Sequence, residues 1–449
     1  MTKPDRSTDK YATTFFNIPL EKFIDKKHEL VIIGDKIDWH RLEAMFDEYY
    51  TDRVRKAIST RLMLGLMLLK YMKNLSDEIL CDTWTENPYF QYFCGETLFQ
   101  YKLPMDRSSI SRWRKRVDLE KLEKILQESL HVAYKTKALS PEDVRKIVVD
   151  TTVQEKAVDY PTDIQLLLDG IIDLGKSAKK AGLKLKQNYR FIAKTLSVKA
   201  NGYAHARQMN RLNTAKKWMK KLLFKLRARI ENAVVKAGKR MEELPAYLKE
   251  RLARSLKVLI QEKGDKNQLL VWHAPEVEII AKGKARSPYE FGCKVSLATN
   301  VNPAKGGHFI LSSRALHGKP YDGHTLNQTI KNVEELTGCE VDKSYVDKGY
   351  KGHDYENKHR VYISGQRRGV FGKIKQELKR RSAIEPIIGH AKHDHRMDRC
   401  RLNGKKGDQI NAVFAAIGFN FKQILNWIAL IYCFCLNLLQ QNQKTEQPT

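Results

Sequence analysis

The feature that most restricts the fold of this chain is a long segment with only one sign of charge. Between Leu174 and Ile230 the sequence has 17 Lys or Arg residues and no Asp or Glu. Apolar residues recur within this segment at helical spacing, including Trp218, Leu222, Leu223 and Leu226. This spacing predicts helices, and we predict a basic helical module over residues 165–262.

A segment with one sign of charge repels itself unless an anion neutralises it, so this module favours binding to a polyanion. The whole chain of 449 residues has a formal net charge of +29, which indicates nucleic acid first and an acidic membrane surface second. We predict that Lys216 and Lys220 contact DNA. The alternative is a solvated charged face, although such faces usually mix both signs.

Composition and cysteine spacing exclude several classes of protein. A hydrophobic fraction of 42% with 30% charged residues is typical of a globular protein and excludes collagen-like and wholly disordered chains. The seven cysteines include no Cys-x-x-Cys pair, which argues against a zinc finger or a disulfide framework. We predict a cytoplasmic protein in a reducing compartment, with no signal peptide at its polar N-terminus.

One C-terminal stretch resembles a membrane span. The residues Ile424–Leu439 are largely apolar, but a span needs about 20 apolar residues, and this stretch is 16 residues long and includes two asparagines. We therefore predict an apolar, buried helix and a polar tail over 411–449, without membrane contact. Cys433 and Cys435 are then small core residues.

Residues 1–140 are predicted to form a helical DNA-binding domain. Ala57–Met72 has the composition of a hydrophobic helix. In Asp106–Val117 a serine at a helix start is followed by a run of basic residues, which suits a helix-turn-helix reader of DNA. We expect Arg112 and Arg114 to contact DNA, with a short structural helix as the alternative.

Strands are predicted on both sides of the basic module. The apolar runs are Lys146–Val153, Glu290–Asn300, His308–Ala315 and Glu340–Asp347, and the second and third are expected to pair through a tight turn. Strands that alternate with helices predict an α/β core over 141–410, interrupted after its first strand by the module.

Three carboxylates in this core suggest metal-dependent chemistry. Asp150 and Asp347 lie at or near the ends of predicted strands, and Glu385 opens a predicted helix. Two-metal phosphoryl transfer needs carboxylates that converge on two divalent ions, one activating the attacking oxygen and the other the leaving oxygen. Each acid also has a structural interpretation, because an Asp after a strand caps turns and Ser382 with Glu385 fits a capping box. In a basic α/β chain, the three together make the metal site a competitive interpretation.

The order of these motifs resembles a known family. Asp150-Thr-Thr-Val, Asp347-Lys-Gly-Tyr-Lys-Gly, and then Arg381, Glu385 and Lys392 at intervals of three and six residues are similar to the DDE transposases of bacterial insertion sequences. Insertion-sequence families four and five are the most similar groups. The resemblance extends over most of the chain, although the basic module is less diagnostic.

The resemblance implies a fold and a site. The core would be RNase H-like, with a mixed sheet flanked by helices, and Asp150, Asp347 and Glu385 would bind two Mg²⁺ or Mn²⁺ ions. Arg381 and Lys392 would contact the DNA backbone or help to hold the site.

Helix geometry adds a third cation. At 100° per residue, Lys392 lies about 20° from Glu385 around a helix and Arg396 falls nearby, so a phosphate would fit between the acid and the cations. A solvated helix face is the alternative. The family also has a tyrosine three residues before its arginine, where this chain has Leu378; Tyr350 and Tyr355 are the candidates to supply that DNA contact.

The resemblance predicts a transposase that binds the terminal inverted repeats of its element in double-stranded DNA, cleaves there and joins the 3′ ends to target DNA. It would act as a homodimer or higher oligomer, associated with the nucleoid. The alternatives are a non-catalytic DNA-binding derivative and an RNase H-like nuclease without strand transfer.

Two further motifs are interpreted as structural. Gly170–Ser177 matches the P-loop pattern, but its interior is Ile-Ile-Asp-Leu and the surrounding spacing is helical. The histidines His390, His393 and His395 lack the spacing of a zinc site.

Overall fold

The computed structural model describes residues 18–49, 58–262, 264, 265, 267–281 and 288–445. It divides into two compact units: the first combines Met1–Glu155 with Cys293–Thr449, and the second is Lys156–Gly292. The class is α/β, as predicted, with a mixed sheet of seven strands and flanking helices. The predicted N-terminal helical domain and the predicted catalytic core contribute to the same unit.

The helices of the described residues fall into three groups. Before the first strand lie α1 (Glu29–Lys36), α2 (Trp39–Ala44), α3 (Thr60–Met72), α4 (Asp77–Glu86), α5 (Pro88–Phe93), α6 (Ser108–Arg114), α7 (Leu119–Lys135) and α8 (Pro141–Val144). The second unit contains α9 (Asp163–Lys180), α10 (Arg190–His205), α11 (Met209–Lys236) and α12 (Ala246–Ile260). The later part of the first unit contains α13 (Leu326–Thr337), α14 (Gly372–Arg380), α15 (Ile384–His393) and α16 (Gly404–Thr445).

The strands are β1 (Lys146–Lys156), β2 (Glu278–Ala281), β3 (Tyr289–Asn300), β4 (Ile310–Leu316), β5 (Lys343–Val346), β6 (Val361–Ile363) and β7 (Arg399–Cys400). The main order is β2-β3-β1-β5-β6, with β4 paired to β3 and β7 to β1. β5 pairs in parallel with both β1 and β6, and β3 pairs antiparallel with β4 as predicted. Gly306 lies in the β3–β4 turn, where a Cβ atom would stand only 2.7 Å from the Ala138 side chain.

Both faces of the sheet in the first unit are buried. Ile147 and Val149 of β1 join the main core, which also contains side chains from α3, α7, α13 and α16. Val148 points to the other face because side chains alternate along a strand, and there it packs with Tyr345 of β5 and Ile384 of α15. The sheet is therefore held between two helical layers, and α15 covers the face that carries Val148.

The C-terminal helix differs from its prediction. It begins at Gly404 instead of residue 411, and it is buried up to Leu425, where it packs against α3, α7 and β4. Leu430 and Phe434 are exposed, as is Cys433, so the prediction of a buried helix is wrong between Asn426 and Phe434 and Cys433 is not a core residue. The side chain of Cys435 lies outside the described residues.

α16 is also long and apolar enough to cross a membrane between Gly404 and Phe434. Its most apolar window is 56% buried against the rest of the protein. A core helix of a globular protein satisfies the same criterion of length and composition, so this finding is weak support for a membrane span.

The second unit has its own hydrophobic core. Leu223, Leu226 and Ile230 of α11 are fully buried together with apolar side chains of α9 and α12. Trp218, in contrast, is 53% exposed, so its prediction as part of the apolar helix face is wrong. The P-loop-like stretch lies within α9, and a Cβ atom at Gly170 would stand 3.0 Å from the Trp272 ring. This glycine therefore permits close packing and does not cradle a phosphate.

Candidate active site

Two of the three predicted acids lie beside each other where two parallel strands stop pairing. β1 and β5 pair in register up to Val149 opposite Val346, so Asp150, within β1, and Asp347, directly after β5, are the next residues on adjacent strands. Adjacent strands lie about 4.8 Å apart, so the two acids are neighbours where this pairing ends. Asp150 does not end its strand, because β1 continues to Lys156. The Asp150 side chain is about one-fifth exposed and that of Asp347 about half exposed.

Arg381 joins these two acids. Its Nη1 atom lies 3.7 Å from Asp150 Oδ2, and its Nη2 atom lies 3.6 Å from Asp347 Oδ1. The guanidinium is largely buried, and it lies in the short 3₁₀ turn Arg381–Ala383 between α14 and α15. One planar cation with several donors can face both carboxylates at once.

Glu385 lies in the first turn of α15, four residues after Arg381. The preceding residue, Ile384, is fully buried against Val148 and Tyr345, which are each two residues before a predicted catalytic acid. This packing positions the start of α15 over the strand ends, while the Glu385 side chain stays exposed. The predicted capping box does not form, because the Ser382 hydroxyl donates to the Lys379 carbonyl and Ala383 occupies the N-cap.

The acid cluster is larger than predicted. Asp322 lies at the start of the turn before α13, where it accepts hydrogen bonds from Thr151 Oγ1 at 3.1 Å and Lys294 Nζ at 2.9 Å. Burial raises the pKa of Asp150, and the charges of Asp347 and Asp322 add to this effect against the opposing contributions of the Thr151 N–H and Arg381. Sequence reasoning missed Asp322 because it follows a loop and shares no motif with the other acids.

Tyr350 and Tyr355 do not replace the tyrosine that the family has at the position of Leu378. Both rings are buried, so neither side chain is available to contact DNA. Burial raises the pKa of Tyr350 well above its usual value, and the nearby Asp150 and Asp322 carboxylates contribute. Tyr350 therefore packs beside the acids as an uncharged side chain.

Lys392 and Arg396 do not share one helix face. Lys392 is half-buried in the last turn of α15, but the helix ends at His393. Arg396 lies beyond it in a left-handed conformation with φ of 66°, and its Nη1 atom donates to the Asn74 carbonyl at 3.2 Å. The prediction extended helical periodicity past the real end of the helix. His395 is buried beside it and contacts the Tyr71 carbonyl, so this histidine is structural.

The basic helix α6 has one exposed and one buried arginine. The Arg112 side chain is 65% exposed, donates to the Ser108 and Ser109 hydroxyls of its own helix and forms an ion pair at 3.9 Å with the exposed Asp106. Arg114 is buried, and its guanidinium forms an ion pair with Asp77. The prediction that Arg114 lies on an exposed DNA-reading surface is therefore wrong.

Arg114 instead lines a basic cavity of about 340 Å³ in the first unit. Its wall contains seven cations and two acids: Lys70, Arg114, Lys115, Arg396, Arg399, Arg401 and Lys406, with Asp77 and Glu78. Burial and the charge of Arg114 lower the pKa of Lys70 to about 8. The pKa of Asp77 is about 2, because hydrogen bonds from Arg114 and Lys70 outweigh the effect of burial. The cavity therefore has an excess of positive charge.

The predicted DNA contacts of the second unit lie near the start of α9. Lys216 forms an ion pair with Asp163, and Lys220 is half-buried on the same side of α11. Lys217, Lys221 and Lys225 are exposed, and Lys221 Nζ lies 5.5 Å from the centre of the Trp218 ring. Most of the one-sided charge of α11 is thus available to solvent.

Comparison with known proteins places these features in a family. Residues 18–116 match the family described as "Transposase domain (DUF772)", and residues 318–425 match the "Transposase DDE domain". The chain is also 42% identical over 193 residues to "Uncharacterized protein ORF8 in nfe locus" of Rhizobium meliloti, an alignment that covers 93% of that protein and 43% of this chain. This chain belongs to the DDE transposases of insertion sequences. No solved structure matches it.

The match to the transposase DDE domain includes Asp347, Arg381, Glu385 and Lys392, whereas Asp150 lies outside both matched segments. In this transposase the parallel pairing of β1 and β5 is what brings Asp150 beside the matched part of the site.

DDE transposases generally use divalent metal ions, and the donor set of this site fits them. Asp150 and Asp347 offer carboxylate oxygens, which are the ligands that Mg²⁺ and Mn²⁺ prefer. Asp150 also lies beside the acids Asp347 and Asp322, and Arg381 is the cation that faces it. A divalent cation beside it would supply further compensating charge.

Proposed function

We propose that this transposase binds the terminal inverted repeats of its insertion sequence in double-stranded DNA, cleaves the DNA there and joins the 3′ ends to target DNA. The observation that carries the proposal is the convergence of Asp150 and Asp347 on Arg381, with Glu385 one helical turn away. These residues come from three separate parts of the chain.

In the proposed mechanism Asp150, Asp347 and Glu385 hold two Mg²⁺ or Mn²⁺ ions. The ions, when bound, stabilise charge on the attacking and leaving oxygens of the phosphoryl group. Arg381 holds the carboxylates of Asp150 and Asp347 close together and presents hydrogen-bond donors beside them to a phosphate oxygen. Lys392, seven residues after Glu385 on α15, lies two helical turns away and contributes positive charge for the DNA backbone.

We further propose that the core is RNase H-like. The support is the strand arrangement, in which the long central β1 has parallel β5 and β6 on one side, and β3 with its antiparallel partner β4 on the other. The basic helical module follows β1, the first strand of this core.

DNA binding would use three surfaces. We assign base reading to the exposed Arg112 on α6, and backbone contacts to Lys216, Lys220 and their exposed neighbours on α11. The basic cavity adds backbone contacts through Arg396 and the lysines and arginines around it. In the described residues, Arg399 and Arg401 have no carboxylate within ion-pairing distance, so their charges remain available to phosphates. The proposal includes a homodimer or higher oligomer that brings two DNA ends together in the cytoplasm, at the nucleoid.

The test uses a plasmid carrying the insertion sequence with its flanking DNA. Purified protein with Mg²⁺ should cut at the element ends, and chelation with EDTA should stop the reaction. Asp150→Asn should remove cleavage, while Asp159→Asn, which changes an exposed acid in the second unit, should retain it. Binding to the ends without cleavage by the unmodified protein would instead favour a non-catalytic DNA-binding derivative. Cleavage at the ends without joining would favour a nuclease.

A further inference from the structure

A second group of possible metal ligands lies in the first unit, and it contains none of the acids proposed for catalysis. Cys293 is in β3, His317 directly follows β4, and Asp408 is in the early part of α16. The pairing of β3 and β4 places Lys294 opposite Leu316, so Cys293 and His317 are neighbours across the two strands. The sulfur, an imidazole nitrogen and a carboxylate oxygen all lie within 4.8 Å of one another.

The burial of this group requires a physical explanation. Cys293 is 1% exposed and Asp408 2% exposed, and the His317 side chain is 13% exposed. A buried carboxylate is costly unless a cation or hydrogen bonds compensate its charge. A metal ion bound by these three side chains would provide such compensation.

The spacing of the donors fits a metal ion. His317 Nε2 and Asp408 Oδ2 are 3.6 Å apart, which is longer than a normal hydrogen bond. Two such donors bound to one tetrahedral Zn²⁺ at about 2.0–2.2 Å would be about 3.4 Å apart. The observed separation is thus close to that of two ligands of the same ion, and small side-chain movements would bring Cys293 into range.

A buried polar network supports these side chains. Gln154 Nε2 donates to Cys293 Sγ at 3.8 Å and to the Asp408 carbonyl at 3.1 Å. Asn411 Nδ2 donates to Gln154 Oε1 at 2.9 Å, and the Tyr71 hydroxyl donates to Asn411 Oδ1 at 2.8 Å. Side chains that form hydrogen bonds with metal ligands orient those ligands and increase metal affinity.

We propose that Cys293, His317 and Asp408 form a zinc site, separate from the catalytic carboxylates, with a water molecule as the fourth ligand. A thiolate, an imidazole and a carboxylate together suit Zn²⁺, whereas Mg²⁺ prefers oxygen ligands only. Binding would release the thiol proton of Cys293, because the thiolate is the form that binds the metal. The ion would tie β3 and the end of β4 to α16, which makes its role structural.

The test begins with protein in which the proposed catalytic acids are changed together to Asn or Gln, so that only the second site can retain a metal. Elemental analysis after dialysis against zinc should give one Zn²⁺ per chain. The Co²⁺-loaded protein should show the absorption of thiolate-to-cobalt charge transfer and of tetrahedral Co²⁺. Both signals should disappear in Cys293→Ser and Asp408→Asn and persist in the control Cys339→Ser, which changes a cysteine outside the group.

Gln154→Ala should retain the site but weaken zinc binding by roughly 10–100-fold. Zinc should also raise the melting temperature of the variant that lacks the proposed catalytic acids, because a ligand that binds only the folded state stabilises it. These two measurements do not require a variant of Cys293, His317 or Asp408 to fold. Absence of stoichiometric zinc, or a charge-transfer band that survives in folded Cys293→Ser, would overturn the proposal. The zinc site does not depend on transposase activity, so either proposal can fail without the other.

Discussion

The two units of the molecule handle charge in opposite ways. In the second unit, cations that are close together in the sequence remain exposed along α11, around a core that the same helices supply. In the first unit, charged side chains from distant parts of the chain are drawn partly inside, where Arg381 faces two acids and Arg114 pairs with Asp77. Local charge density suits contact with a long polyanion, and converging buried charges suit chemistry at one phosphate.

The difference also explains where sequence patterns mislead. A lysine on an exposed helix remains available to bind an anion, as the composition of the segment predicts. A charged residue in a tightly packed unit can be committed to an internal partner, as Arg114 is. The following predictions test whether the two units are as different in function as they are in structure.

The largest effect is expected for Asp347→Asn. This variant removes a carboxylate of the proposed metal site, so cleavage of DNA containing the element ends should fall to background in Mg²⁺. Binding of the same DNA, measured by fluorescence anisotropy, should stay close to that of the unmodified protein because no phosphate contact is removed. Glu356→Gln is the matched control, since it changes an exposed acid nine residues away. Retained cleavage in Asp347→Asn would assign the catalytic role to another acid, with Asp322 the first candidate.

Leu223→Ala tests whether the second unit has an independent core. Leu223 is fully buried, and loss of such a side chain costs about 2–5 kcal/mol of folding free energy. Hydrogen exchange should accelerate throughout α9, α11 and α12 and remain unchanged in β1 and α16. Phe224→Ala, the exposed neighbour, should have little effect. Equal loss of protection in both units would show that they unfold as one.

A variant with Gln in place of four lysines of α11 tests whether this helix binds the DNA backbone. The lysines are Lys216, Lys217, Lys220 and Lys221. Each lost phosphate contact lowers the slope of log affinity against log salt by roughly 0.9. Four phosphate contacts should therefore account for a fall of roughly 3.6 in the slope, with Lys216 exchanging its ion pair with Asp163 for a phosphate. The loss of affinity should be similar for DNA with and without the element ends. An unchanged slope would make the module a structural or protein-binding unit.

Arg112→Ala should have a different effect on the same measurement. If α6 reads bases, loss of one arginine contact reduces discrimination by about 1–3 kcal/mol, roughly tenfold to hundredfold in the ratio of affinities for end and unrelated DNA. The salt slope should change little. An equal loss of affinity for both DNAs would show that Arg112 contacts the DNA backbone instead of the bases.

The smallest effect concerns the basic cavity and pH. The pKa of Lys70 is about 8, so this side chain loses its charge as the pH rises from 7 to 9. Affinity for DNA should therefore decrease severalfold over this range, and Lys70→Arg should flatten the decrease because arginine stays charged. The measurement is a DNA titration at constant ionic strength. If the pH dependence is identical in Lys70→Arg, the cavity does not contact DNA.

Much of the architecture could be predicted because it depends on local patterns. The helical character of α9, α11 and α12 follows from apolar spacing. The strands β1, β3, β4 and β5 follow from short apolar runs, whose predicted bounds lie within a few residues of the observed ones. Local patterns failed where a boundary was needed. Arg396 was assigned to a helix that ends three residues earlier, and the burial of α16 was extended past the point where its neighbours end.

The sequence predicted the motif residues of the candidate site, but it did not predict the residues that surround them. Asp150, Asp347, Arg381 and Glu385 stand in recognisable motifs, and their catalytic role stays a prediction. Asp322 has no such signal, because it reaches the site through the loop after β4 and is recognisable only from its contact with Thr151.

The sequence by itself determined the elements, the one-sided charge of the second unit and the family to which the chain belongs. These depend on periodicity, composition and short motifs, which are properties of neighbouring residues. Only the tertiary structure decided that Asp150 and Asp347, about 200 positions apart, directly follow the paired segments of two adjacent parallel strands. It likewise decided that Arg114 is buried against Asp77 and that Cys293, His317 and Asp408 meet. The physical reason is that strand pairing and core packing join residues by burial and register, and neither leaves a signal in the local sequence.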